Sequence, residues 1–317
     1  MTRRRWAWLR MVAGVGILVA LGWRLGTEAF LDGLRAITFP ALLAALGIGL
    51  LTTVSSAWRW CVVAQGLGLP LTLRAAVPDY YRGLLLNAVL PAGVLGDVHR
   101  AVSHGRQSGD VGRGVRAVVF ERFAGQVVLI AIGLVVLLTQ PVAIDFLPGR
   151  GTTLGVAAVV VAVAVVAARS DKVRRALAKT WLDARDGLLS RHALPRVALL
   201  SAATVVGHIA LFVVAARTAG SSASLGALVP LIVLALLVMA VPVNVGGFGP
   251  REAFLAVAFG AAGLGAAQGL TTAVVYGVLA MVAALPGVLV LFRRSEHREV
   301  LPERPGQRRE QVPALVG

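Results

Sequence analysis

At 317 residues, 57% of them hydrophobic and 15% charged, with a mean hydropathy of +0.81, the chain is too apolar for a soluble globule and reads as an all-α polytopic membrane protein. Its formal net charge of +16 does not mark a nucleic-acid binder, because the arginines collect between and after apolar runs, as the positive-inside rule requires, and not on one face of a soluble fold. A single cysteine, Cys61, excludes an internal disulfide and a cysteine-based zinc cluster.

The basic stretch MTRRRWAWLR opens the chain and an apolar run follows. No A-x-A cleavage site comes after it, so residues 7–25 are expected to be a retained first span, with the N-terminus in the cytoplasm and Trp6 and Trp8 at the interface. A weakly acidic outer loop holds Glu28, Asp32 and Arg35. Residues 39–63 then return inward toward Trp58, Arg59 and Trp60, where an aromatic and cationic belt is expected.

The stretch DYYRGLLLNAVLPAGVLGDVHRA (79–101) has a different character. Its apolar core, residues 83–90, is too short to cross about 30 Å of hydrocarbon. Pro91, Gly93 and Gly96 interrupt it, and Asp97 and Arg100 close it. The loop beyond carries Arg100, Arg106, Arg113 and Arg116 against Asp110, which places it inside, so the stretch is expected to enter from the cytoplasm and return as a re-entrant hairpin.

Residues 115–138 cross outward carrying Glu121 and Arg122, and residues 152–168 cross back. In residues 171–192 an apolar stripe of Val173, Leu177, Trp181, Ala184 and Leu188 lies among Arg174, Arg175 and Lys179, the pattern of an interfacial helix on an anionic inner leaflet. Residues 194–216 cross outward, 225–241 start inward, 253–265 form a short helix, and 270–292 end in Arg293 and Arg294. The expected membrane domain covers residues 1–292 with about 6–8 transmembrane helices, and residues 293–317 form a disordered cytoplasmic tail.

Between the last two apolar stretches lies PVNVGGFGPRE (242–252), with five prolines and glycines and the adjacent Arg251 and Glu252. Unsatisfied backbone groups cost several kcal/mol in hydrocarbon, so this segment must face protein or water, and in transporters such broken helices line the substrate site. It stands 151 residues after the first broken stretch, counted from Pro91 to Pro242. Residues 7–138 and 152–292 thus each read as span, span, broken hairpin, span. Three crossings per half make the second run in the opposite sense, an inverted-topology repeat. Two full crossings by residues 225–265 satisfy the same parity, so both courses stay open.

Charges within a bilayer normally face a cavity and a partner. The candidates are Arg82, Asp97, Arg100, Glu121, Arg122, Arg251 and Glu252. Arginine's planar fork suits a phosphate, the hairpin glycines let backbone N–H groups approach the same anion, and Pro250 suits the first turn of a helix whose N-terminus favours negative charge. Plainer roles stand beside these. Arg82 and Arg100 also fit as markers of the inner interface, and Glu121 and Arg122, adjacent on one helix, fit either a structural ion pair or a site, each reaching another segment. Asn87 and Asn244 either cap broken backbone or contact a headgroup. His208 reads as a satisfied interior residue. No H-E-x-x-H, G-x-S-x-G, P-loop or dinucleotide motif occurs, so neither a catalytic centre nor a metal or cofactor is expected.

Through RGLLLNAVLPAGVLGDVHRA, the downstream FERFAGQ and VPVNVGGFGPREAF, the chain resembles the flippase-like membrane domain found at the N-terminus of lysylphosphatidylglycerol synthases and as stand-alone proteins. The resemblance covers nearly all the membrane portion. It points to Asn87, Pro91, Gly96, Asp97, Arg100, Glu121, Arg122, Pro242, Gly247, Gly249, Arg251 and Glu252 as substrate-binding residues. In the two-domain synthases a soluble domain attaches the amino acid and the membrane domain moves the product outward. These 317 residues include no such soluble domain, so lysyl transfer is not expected of them.

The implied activity is translocation of a phospholipid, an aminoacylated lipid or a lipid-linked sugar across a bacterial inner membrane, with both termini cytoplasmic. Lipids with an anionic or phosphate-bearing headgroup are the expected partners. A scaffold role for a separate lipid- or glycan-modifying enzyme is the alternative, and the oligomeric state, a homodimer included, stays open.

Overall fold

The computed structural model describes residues 28–89, 94–139, 190–239 and 249–292, with Arg185 and Leu188, and every regular element among them is a helix. The expected spans 7–25 and 152–168, nearly all of the interfacial helix 171–192, the tail 293–317 and both hairpin tips lie outside the described residues. The helices are α1 (Glu28–Arg35), α2 (Phe39–Gly66), α3 (Leu73–Val89), α4 (Leu95–Gln107), α5 (Val111–Thr139), α6 (Ala193–Thr218), α7 (Leu225–Met239), α8 (Pro250–Ala261), α9 (Ala266–Ala284) and α10 (Pro286–Phe292).

Among the described residues, four helical stretches are long and apolar enough to cross a membrane: Phe39–Gly66, Val111–Val136, Ala193–Thr218 and Ala266–Val290. The last runs through the break between α9 and α10, where Pro286 lacks the N–H that a continuous helix would use. Leu51, Phe123, Leu199 and Leu289 project outward from these four, an arrangement that water penalises and acyl chains do not.

The first arms of the two hairpins are shorter. The 15 residues of α7 reach about 22 Å, less than the roughly 30 Å of a hydrocarbon core. Apolar on every side, α7 buries Leu228 and Pro230 through Leu236, and its Leu228, Leu231, Ile232, Ala235 and Leu236 join a core shared with Phe212, Phe259 and Leu279. In the first hairpin α3 and α4 meet backbone to backbone. A methyl group on Gly96 would stand 2.0 Å from the carbonyl oxygen of Gly83, so only glycine permits the approach.

The packing of the two halves corresponds. The pairs α2–α3, α3–α4, α4–α5, α2–α5, α5–α6 and α5–α7 recur as α6–α7, α7–α8, α8–α9, α6–α9, α9–α2 and α9–α3, while α2 and α6 pack on each other. Individual positions follow the same shift. Pro78 is the sixth residue of α3 and Pro230 the sixth of α7, 152 positions later. A methyl on Gly114 of α5 would lie 2.6 Å from the carbonyl oxygen of Ala101 in α4. Gly269 of α9, 155 positions after Gly114, meets the carbonyl oxygen of Leu255 in α8 at 2.1 Å in the same way.

Several expectations change. The stretch with Glu28, Asp32 and Arg35 is the helix α1, which packs through Gly33 against Val274 and Thr271 of α9. The helix of the first hairpin starts at Leu73, ahead of Asp79. Arg59 and Trp60 do not form an interfacial belt, because α2 continues to Gly66 and both side chains turn into the protein, 4% and 0% exposed.

Candidate functional site

Glu121, fully buried on α5, gathers the cations of the first half. Its Oε1 accepts hydrogen bonds from Nε of Arg59 at 3.0 Å, from Nη2 of Arg59, and from the Tyr80 hydroxyl at 3.3 Å. Its Oε2 accepts from Nη2 of Arg100 at 2.7 Å. Arg59 also donates to Oγ of Ser201 at 3.1 Å, which joins α2 and α5 to α6 in the other half. The Arg100 guanidinium lies 4.8 Å from the ring centre of Trp60 and 4.3 Å from that of Tyr80, so aromatic faces cover charge that water would otherwise solvate.

Asp97 carries the network to α5 again. Its Oδ1 accepts from Nε of Arg100 at 3.1 Å and from Nη2 of Arg122 at 2.9 Å, and its Oδ2 lies 2.7 Å from the same Nη2. Asn87 joins the two arms of the hairpin: Nδ2 donates to Asp97 at 3.2 Å, and Oδ1 accepts the N–H of Gly96 at 2.7 Å. Glu121 and Arg122, neighbours in sequence, therefore both reach α4, one through Arg100 and the other through Asp97, while Glu121 also reaches α2 and α3, and three arginines share two carboxylates. Buried ion pairs roughly offset their own desolvation only when hydrogen bonding is nearly complete, so a lattice this dense holds groups in position more than it adds stability.

In the second half, Gly249 adopts φ 118°, a conformation that favours glycine, and Pro250 starts α8. Oε2 of Glu252 accepts the N–H of Gly249 at 2.6 Å, closing the helix start from its third residue, while Oε1 accepts from Nε of Arg251 at 3.0 Å. The Arg251 guanidinium lies 5.3 Å from the ring centre of Tyr276. Tyr276 stacks on Phe212 with ring centres 3.6 Å apart, and its hydroxyl is 3.5 Å from Nδ1 of His208.

A cavity of about 280 Å³ separates these two clusters. Asn87 and Arg122 reach it from the first half, and His208, Arg251 and Tyr276 from the second. Ile48, Leu84, Leu211, Met239 and Met281 supply much of the remaining wall. Its volume is just under the 300 to 1,000 Å³ typical of small-molecule sites and suits a polar headgroup better than a whole lipid.

Among the residues expected to bind substrate, Asn87, Arg122 and Arg251 line this cavity. Gly96, Asp97, Arg100 and Glu121 stand behind Arg122, and Gly249 and Glu252 stand behind Arg251. Arg82 is not in the wall; it pairs with Asp79 at 3.1 Å, one helical turn away on α3. Pro91, Pro242, Asn244 and Gly247 lie outside the described residues. Sequence reasoning missed Arg59, Tyr80, Ser201 and Tyr276, and it gave His208 only an interior role. A charge within the 28-residue apolar helix α2 was the available signal for Arg59.

Residues 10–287 match the family model described as the lysylphosphatidylglycerol synthase TM region. No curated protein and no solved structure matches the chain. With the match covering most of its length, this membrane-embedded helical chain belongs to the lysylphosphatidylglycerol synthase transmembrane-region family.

Proposed function

We propose that the chain is a lipid translocase, moving a phospholipid, an aminoacylated lipid or a lipid-linked sugar between the leaflets of the bacterial cytoplasmic membrane with both termini inside. The observation that carries this reading is that Arg122 and Arg251, from opposite halves of the chain, line one cavity. The headgroup enters between the two broken hairpins, both re-entrant, while the acyl chains stay in the bilayer. The halves, related as an inverted repeat, expose the cavity to each leaflet in turn. The recurring helix pairs and the matched Pro78 and Pro230 support this arrangement.

The test is headgroup translocation in proteoliposomes containing the full chain, with a panel of labelled anionic and aminoacylated lipids. Flipping faster than in empty liposomes, lost in folded Arg251→Ala, Glu252→Gln and Asp97→Asn variants, supports the reading. No acceleration for any lipid, with or without a proton gradient, overturns it and favours a scaffold for a separate lipid- or glycan-modifying enzyme.

A further inference from the structure

We propose that the cavity selects a headgroup carrying one phosphodiester anion and no ammonium group, a proposal that rests on the translocase reading for the site but not on transport itself. Three observations point the same way: the charge balance, the reach of Arg122 and the place of each carboxylate.

The lattice behind Arg122 holds Arg59, Arg100 and Arg122 against Asp97 and Glu121, one positive charge in excess, and the Arg251 and Glu252 pair adds none. A single phosphodiester restores neutrality. A low-dielectric cavity makes that match matter far more than it would in water.

Arg122 is placed to make the contact. Its side chain lines the cavity and is 46% exposed, although α5 packs against α2, α4, α6 and α7. Among the described residues its hydrogen bonds run through Nη2 to Asp97, which leaves the Nε and Nη1 protons to donate to phosphate oxygens in the cavity. Arg251 faces the same space from the other half.

Among the described residues an ammonium group meets no counter-charge in the wall, since none of the lining residues is a carboxylate. Glu121 and Glu252 are fully buried behind their arginines. Asp97 is held by Arg100, Arg122 and Asn87. A cationic aminoacyl headgroup would bring its charge against two guanidiniums with no acid facing it, and like charges at close quarters suppress binding.

Calorimetric titration of the purified full chain in detergent tests this with four probes: dioctanoyl phosphatidylglycerol, dioctanoyl phosphatidylcholine, lysyl-dioctanoyl phosphatidylglycerol and sodium phosphate. The expected order places the phosphatidylglycerol at least about tenfold tighter than the other three, the scale of one charge-assisted hydrogen bond. Arg122→Gln and Arg251→Gln each abolish that preference. Arg122→Lys keeps the charge without the fork and retains part of it, which separates loss of the contact from loss of the fold. Equal or tighter binding of the choline or lysyl lipid overturns the proposal, as does an Arg122→Gln variant that binds like the parent. Phosphate binding as tight as the lipid overturns the lipid assignment. Selective binding by a chain that fails to flip lipid upholds this proposal while overturning the translocase reading.

Discussion

Tyr276 holds in the second half the place that Glu121 holds in the first, 155 positions earlier. Arg100 reaches Glu121 at 2.7 Å, and Arg251, 151 positions after Arg100, lies 5.3 Å from the Tyr276 ring. Behind them Arg59 pairs with Glu121, and Phe212, 153 positions later, stacks on Tyr276. One framework thus carries an ionic lattice on one side of the cavity and an aromatic stack on the other. The two sides tolerate substitution differently.

Glu121→Gln leaves Arg59 and Arg100 buried without their shared counter-charge, and breaking a buried pair in this way costs about 3 to 5 kcal/mol. Tyr276→Phe keeps the stack on Phe212 and removes a hydroxyl whose contact with His208 is long at 3.5 Å, so it costs less than about 1 kcal/mol. Thermal denaturation in detergent should place Glu121→Gln far below Tyr276→Phe. The reverse order would contradict the network.

The glycines separate in the same experiment. Gly96→Ala drives a methyl group into the Gly83 carbonyl and forces the hairpin arms apart, at a cost of about 1 to 3 kcal/mol or more. Gly47→Ala, inside α2 with nothing within 4 Å of the new methyl, gains helix propensity and leaves the melting temperature unchanged or slightly raised. Equal effects at the two positions would argue against the close approach of α3 and α4.

Cys61 is buried and is the chain's sole cysteine, so Cys61→Ala gives a clean background for labelling. Ala88→Cys and Ala280→Cys, both in the cavity wall, should react with a small water-soluble thiosulfonate, and Ala273→Cys, fully buried in the core, should not. Equal reactivity at Ala273 and Ala88 would remove the cavity from consideration as a water-accessible space.

Outside the spans, Asp110 starts α5, and its Oδ1 accepts the N–H of Arg113 at 2.9 Å. That backbone hydrogen bond, with help from the charges of Arg113 and Arg116, holds its carboxyl below the ordinary aspartate range. A lowered folded value means that the stabilisation is fully present above the unfolded value, about 3.9, and is lost as pH falls through the folded one. Asp110→Asn keeps the cap but not the charge. It should melt slightly below the parent at neutral pH, the gap closing in acid; a gap that widened in acid would reverse the sign of the argument.

Hydropathy located the four long helices because apolar length is a local property, and the bounds of α2, α5 and α6 differ from it only by the turns at their ends. The break at Pro91 and Gly93 lies outside the described residues, and the pairing of Gly83 with Gly96 was not legible, since which glycines meet depends on how two helices cross. Arg59 was misplaced for a comparable reason: an arginine near the end of an apolar run looks interfacial until a buried acid on another helix, here Glu121, supplies its counter-charge. The matching helix pairs of the two halves had a better marker than the broken stretches. Pro78 and Pro230 sit at equal depth in α3 and α7, and each removes one backbone donor from a short first arm. Tyr276 was invisible because its role rests on a position shared with Glu121, and the two residues have no chemistry in common.

The glycine contacts at Gly114 and Gly269 leave no layer of side chains between α4 and α5 or between α8 and α9. Interfaces that bring backbone onto backbone cannot slide by changing rotamers, so each of these pairs moves as one rigid body. Relative motion is then left to the joints between such bodies. Gly249, at φ 118° ahead of α8, is held by Glu252, and a residue with a side chain there would strain the helix start that sets the place of Arg251.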